Sequence, residues 1–249
     1  MQASREFRAG ITAVVQQVSG VRGLLTPKEV EFLAILGACP TADGCIVELG
    51  TLFGKSAVAL AAGSRLGDQA LVHTVDLKVR PEAEANLKSS GVWEQVRPYV
   101  LWSHEFWKQF HEPIRLLWHD GANKSDYVAG DIAFALPLLV DRAIVAMHDV
   151  LNSSGERLHA FVDHVLASPQ FGQVGIVGSI GWAQFRKDGC SLLEAAAKQR
   201  LARQLNRLKP FHQLPRTHPR GLRRVAYEAY RQLVPHGAVK LDHWLARVA

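Results

Sequence analysis

The stretch "VELGTLFGKS", residues 47–56, holds an acid, a glycine turn and a Gly-Lys-Ser triplet within ten positions. A loop that grips nucleotide phosphates places four residues between its first glycine and Gly-Lys-Ser/Thr. Here three separate Gly50 from Gly54-Lys55-Ser56, so the backbone N–H groups cannot ring a phosphate in the same way. Glu48, two residues ahead of the turn, would also set negative charge beside a polyanion. The dinucleotide form Gly-x-Gly-x-x-Gly fails too, because Leu52 stands where its second glycine belongs. What remains suits a ligand without phosphate that offers a ribose, an amino-acid moiety and a cationic centre. Glycine lets the backbone approach such a ligand closely, and the carboxylate suits an ammonium or sulfonium neighbour.

Other polar residues recur in the same setting, at or just past the ends of apolar runs. Asp76 closes "HTVD", Ser103 follows "VRPYVLW", Asp120 follows "IRLLWH", and His148-Asp149 follow "RAIVAM". A histidine of ordinary pKa, about 6.5, is suited to take a proton from an acceptor hydroxyl.

The elements that must position these residues alternate. Residues 26–38 read as a helix opened by Thr26 and Pro27, with Glu29 near the first turn. Apolar runs at 44–50, 70–77, 96–102, 114–121 and 142–150 read as strands, with helical stretches between them. One of those helices is expected over 126–139 despite Pro137. Two last strand-like runs, "GQVGIVGS" and "GWAQFRKD", lie too close together for a crossover and must pair as an antiparallel hairpin. Five strands alternating with helices demand a mostly parallel sheet covered on both faces. The expected fold is therefore α/β, a doubly wound seven-stranded sheet with an antiparallel last strand. Ligands of such sheets sit beyond the carboxyl ends of the strands, where the polar residues above fall.

The 249 residues carry a formal charge of +6, unevenly spread. Residues 191–249 hold 12 Lys/Arg against 3 Asp/Glu, and residues 1–190 hold 17 against 20. The basicity belongs to a helical C-terminal extension, where Leu222, Val225, Ala226, Ala229, Tyr230 and Leu233 recur at helical spacing. The chain divides into an N-terminal helical segment (1–25), a ligand-binding domain (26–188) and the basic extension (189–249). Cys39, Cys45 and Cys190 are odd in number and lack C-x-x-C spacing, which argues against a disulfide framework or a zinc ribbon. No signal-peptide core opens the chain, so a cytoplasmic protein is expected.

With these residues in order, the chain resembles the class I S-adenosylmethionine-dependent methyltransferases. More narrowly it is similar to the small-molecule O-methyltransferase branch, whose motif reads V-E-[IL]-G-T-x-x-G-x-S. The resemblance spans roughly residues 26–188. It rests on "VELGTLFGKS", on Asp76 in "HTVDL", on Ser103 in "LWSHEFW", on Asp120 and Asp131 in "LLWHDGANKSDYVAGDI", and on "IVAMHDV". The chain departs from the pattern at Asn123, at Asp141-Arg142, where a Gly-Gly is usual, and at Trp102.

The resemblance implies a Rossmann-like methyltransferase fold and O-methylation of a hydroxylated small molecule, a natural product or a sugar. It implies that S-adenosylmethionine is held by Glu48, Gly50, Thr51, Gly54, Ser56, Asp76, Ser103 and Asp120. His148, Asp149 and Asp120 are the implied catalytic residues. Strands four and five are neighbours in this fold, about 4.8 Å apart, so Asp120 and Asp149 would reach one Mg²⁺ ion. A homo-oligomer is expected. The alternative is a protein that uses the basic tail on nucleic acid or an anionic membrane, its domain being an RNA methyltransferase or a non-catalytic S-adenosylmethionine binder.

Overall fold

A computed structural model describes residues 4–78, 80–153, 155–212, 218–237 and 244. Seven strands form one sheet: β1 (Cys45–Leu49), β2 (Val72–Asp76), β3 (Val96–Val100), β4 (Ile114–His119), β5 (Leu139–Met147), β6 (Phe171–Val177) and β7 (Ile180–Phe185). Their order is β3-β2-β1-β4-β5-β7-β6. β1 to β5 run parallel, and β7 pairs antiparallel with both β5 and β6. The reversed strand is thus last in the chain but lies between β5 and the edge strand β6. The order reverses direction at β1, which puts the crevice for a ligand above β1 and β4.

Alternation along the strands divides the core. Ile46, Leu116, Ile144 and Ala146 face one helical layer, built from α1 (Arg5–Ser19), α2 (Pro27–Ala38), α3 (Lys55–Arg65) and α4 (Pro81–Ser89). Val47, Leu117, Val145 and Met147 face the other, built from α5 (Ser103–Gln109), α6 (Ser125–Ala135), α7 (Arg157–Ala160) and α8 (Leu192–Asn206). Because both faces are covered, the parallel strands read as unbroken apolar runs.

Local chemistry sets the element ends. Thr26 caps α2, and Glu29 closes a capping box by accepting from the Thr26 N–H at 2.9 Å. The other Glu29 oxygen accepts from the Ser179 N–H and hydroxyl at 2.8 and 2.7 Å, tying α2 to the β6–β7 turn. The helix expected over 126–139 is shorter: α6 stops at Ala135, a 3₁₀ turn spans Leu136–Leu138, and β5 opens at Leu139. Pro137 is the cause, since its ring removes a helical N–H and crowds the preceding turn. Inside β5, at the position where the sequence departs from a Gly-Gly, Arg142 adopts φ +70, a backbone that glycine would hold without strain. Within "LWSHEFW", Ser103 starts α5 directly after Trp102.

Among the described residues the basic extension carries α8 and α9 (Gly221–Gln232). Tyr227 anchors α9, buried, with its hydroxyl on the Leu151 carbonyl. The apolar stripe read from the sequence does not face the core: Leu222 is 89% exposed, Val225 65% and Leu233 56%. Part of the extension, residues 213–217, 238–243 and 245–249, lies outside the described residues. Among the described residues no helix is long and apolar enough to cross a membrane.

Small residues let α2 and α3 approach. A Cβ on Gly63 would stand 2.3 Å from the Ala34 carbonyl oxygen, and one on Gly37 2.5 Å from that of Leu60. Gly63→Ala is therefore expected to lose about 2 kcal/mol in denaturant unfolding, as overpacked cores do. Gly130→Ala, in α6 with nothing within 4 Å of its Cβ, is expected to gain up to about 1 kcal/mol from helix propensity. Equal effects at the two sites would refute the close-packing argument.

Candidate active site

β1 ends at Leu49 and the chain turns through Gly50, whose N–H donates to the Val75 carbonyl at 2.8 Å. Gly50 has φ +96, and a Cβ there would lie 2.7 Å from the Asp120 carbonyl. Only glycine lets the β1 and β4 loops pass this closely. The next two amides, Thr51 and Leu52, donate to Asp76 Oδ2 at 2.9 and 3.0 Å. Backbone amides that a phosphate nest would use thus hold a carboxylate already. The clamp also keeps Leu52 in the left-handed region, at φ +48. Gly54, at φ +78, caps α3 and leaves Lys55 and Ser56 at its positive end.

Glu48 lies beneath this turn and is fully buried. Its Oε2 accepts from the Thr74 hydroxyl, which meets the Thr51 hydroxyl at 2.5 Å. Among the described residues its Oε1 accepts no hydrogen bond of good geometry. Burial pushes its pKa up to about 7 against hydrogen bonds from Ser56 and Thr74, with the charges of Asp120 and Asp76 adding to the rise.

The β4 and β5 ends carry a cluster of charges. In register, His119 of β4 pairs with Met147 of β5, so Asp120 and His148 follow side by side. His148 Nδ1 lies 3.2 Å from Asp120 Oδ2 and 3.8 Å from Asp149 Oδ1. Its Nε2 lies 3.8 Å from Glu29 Oε2. Burial alone would lower the pKa of His148, but hydrogen bonds to Asp120 and Glu29 raise it to about 10. The side chain is therefore an imidazolium at neutral pH. Burial works to raise the Asp120 carboxyl, yet His148 and the Arg157 guanidinium hold it below its usual range. Asp149, at φ +57, turns the chain away from β5. His119 is sealed in the core, with its Nε2 3.0 Å from Asp131, which also accepts from Trp107 Nε1 at 3.1 Å.

One cavity of about 620 Å³ opens at these strand ends. Of the residues singled out in the sequence, Gly50, Thr51, Ser56 and Asp76 line its β1–β2 side. Ser103, Asp120, His148 and Asp149 line the rest. Glu48 and Gly54 do not reach it, standing behind the wall as supports for the turn. Sequence reasoning missed Arg22, Lys124 and Tyr127 at the mouth, and above all Arg157 at the floor. A signal for Arg157 was present. It shares an apolar helical face with Phe161 and Val165, both fully buried, and a cation at such a position needs buried partners.

Residues 47–150 match the family described as a methyltransferase domain. No curated protein matches the chain at significant similarity. Among solved structures, the chain is similar to an O-methyltransferase from Bacillus cereus in complex with SAH, at 19% identity and a TM-score of 0.55, covering 73% of this chain and 92% of that one. An SAH-bound methyltransferase from Podospora anserina aligns at 17% identity and a TM-score of 0.54, over 72% of this chain and 88% of its own. An O-methyltransferase involved in tomaymycin synthesis, from Streptomyces achromogenes and in complex with SAM, aligns at 17% identity and 0.53, over 75% and 92%. At such identities the likeness speaks for the fold, and the domain match speaks for residues 47–150. Residues 47–150 thus match a methyltransferase domain, and the chain shares its fold with solved O-methyltransferases.

Proposed function

We propose that the chain moves a methyl group from S-adenosylmethionine to a hydroxyl of a small molecule. The observation that carries this reading is the glycine turn clamped by Asp76 at the edge of the cavity. It presents backbone and a carboxylate, with no phosphate nest, to a ligand at the carboxyl ends of β1 and β2. Among the described residues Asp76 Oδ1 meets only the Lys78 N–H, at 3.3 Å, and so keeps acceptor capacity for ribose hydroxyls. Ser103 and the exposed Trp102 flank the adenine side, and Ser56 at the α3 N-terminus suits the amino-acid carboxylate. Glu48 acts through Thr74, which holds Thr51 in place.

When bound, S-adenosylmethionine supplies the methyl group from its sulfonium, and the departing thioether keeps the bonding electrons. The chain's part is to orient the acceptor and remove its proton. Asp149 receives that proton in our reading. It lines the cavity and has the loosest contacts of the cluster, 3.4 Å from Arg157 and 3.8 Å from His148. The imidazolium of His148 and the guanidinium of Arg157 orient the two aspartates. Neither the domain match nor the related folds favour the alternative of an RNA-directed or non-catalytic protein.

The first test is thermal unfolding with S-adenosylmethionine, S-adenosylhomocysteine, Mg-ATP and NAD side by side. Either of the first two, at 100 times its dissociation constant, is expected to add about 2.7 kcal/mol. A shift with Mg-ATP alone would overturn the reading. By titration calorimetry, Asp76→Ala is expected to weaken cofactor binding by about 3 kcal/mol, roughly a hundredfold.

Glu48 yields a pH test. Its folded pKa of about 7 exceeds the ordinary 4.5, so its contribution is complete below about pH 4.5 and fades as pH rises through 7. Glu48→Gln is therefore expected to gain on wild type by about 3 kcal/mol between pH 4.5 and pH 8. A difference that stays flat across that range would refute a buried neutral carboxyl.

A further inference from the structure

Acids at the ends of adjacent parallel strands form an oxygen pair suited to a divalent ion. Asp120, His148 and Asp149 do bring ligand atoms within 4.8 Å of one another. The space between the two aspartates is nevertheless filled by Arg157, whose side chain is 4% exposed. A guanidinium has five N–H donors, and all five find acceptors here. Nη1 donates to Asp120 Oδ1 at 2.9 Å and to Asp149 Oδ2 at 3.4 Å. Nη2 donates to the carbonyls of Asp120 and Gly121, at 2.9 and 3.1 Å. Nε donates to the carbonyl of Ala122 at 2.9 Å.

The remaining oxygens of the pair, Asp120 Oδ2 and Asp149 Oδ1, face His148 Nδ1 at 3.2 and 3.8 Å. Two oxygens of the pair, one from each carboxylate, are thus held by the guanidinium, and the other two face the His148 ring nitrogen. Mg²⁺ requires near-octahedral oxygen donors at about 2.0–2.1 Å. Carboxylate lone pairs already turned to N–H groups do not meet that demand, and the guanidinium charge repels a dication. The Mg²⁺ ion expected at Asp120 and Asp149 does not fit the residues present.

We propose that Arg157 takes the place of the divalent ion, holding Asp120 and Asp149 together so that this chain works without a metal. The proposal rests on the methyltransferase reading for its functional consequence, and on Arg157 alone for its geometry. The backbone at its base supports it: the Glu156 N–H donates to the Asn123 carbonyl at 2.9 Å, and Glu156 Oε2 accepts from the Ser125 N–H at 3.1 Å. The loops after β4 and β5 are thereby joined on both sides of the guanidinium. A saturated guanidinium offers no open coordination position. Adjacent acceptor hydroxyls gain nothing from chelation here, and orientation falls to Asp149 and the cavity wall.

The test is a titration of the full chain with Mn²⁺, followed by the electron paramagnetic resonance signal of the free ion, for wild type and Arg157→Met. Wild type is expected to leave the Mn²⁺ signal undiminished at millimolar metal. Arg157→Met, shown to be folded by its melting curve, is expected to take up one equivalent, and to lose that capacity in Arg157→Met with Asp149→Asn. One equivalent bound by wild type and lost on Asp120→Asn would overturn the proposal. So would a folded Arg157→Met that binds none. The wild-type arm decides even where the variant fails to fold. Stabilisation by S-adenosylhomocysteine, measured on the same samples, reads the cofactor assignment separately: its absence would sink that reading and leave the metal result standing.

Discussion

The constraint that organises this molecule is the need to compensate carboxylates at the carboxyl ends of buried parallel strands. Asp120 and Asp149, half-buried at the strand ends, approach the buried Glu29 of α2 around one imidazole, and unpaired charges there would be costly. His148 and Arg157 supply the compensation, and each reaches partners on more than one element. His148 joins β5 to β4 and α2, and Arg157 joins α7 to the loop after β4. The cluster therefore also fixes how the loops above the sheet stand relative to one another. Removing one partner would leave its counterpart buried and unpaired, which is why such clusters tolerate single changes poorly.

A second carboxylate is used differently. Asp76 turns one oxygen to two backbone amides and keeps the other largely free. It thus shapes the glycine turn and stays available to a ligand. Glu48 shapes the same turn from below while never reaching the cavity. Three acids at the ends of three neighbouring strands serve as a clamp, a buried support and one arm of an ion cluster. Their environments, rather than their residue type, separate these roles.

The amino-acid sequence by itself determined the alternation of strands and helices, the closing hairpin and the set of residues at the strand ends. Period-two and period-3.6 patterning, together with glycine and proline punctuation, are local properties that survive without tertiary context. The count of residues between Gly50 and Gly54 likewise separated this turn from a phosphate loop. Boundaries were less legible where two signals competed, as at Pro137, where an apolar run continued past the point at which the ring ends the helix.

Only the tertiary structure decided what those strand-end residues do. The sequence places Arg157 on a helix eight positions after Asp149, with nothing local to say that its five donors converge on the β4 and β5 ends. Nor does spacing say that His148 meets Glu29, more than a hundred residues away, which together with Asp120 raises its pKa. The outward-facing stripe of α9 has the same origin, since periodicity reports that a helix has an apolar side and not where that side is turned. Pairing, charge state and orientation depend on partners brought together by folding. Electrostatic and packing energies act through space, and chain order carries them only where neighbours in space are also neighbours in sequence.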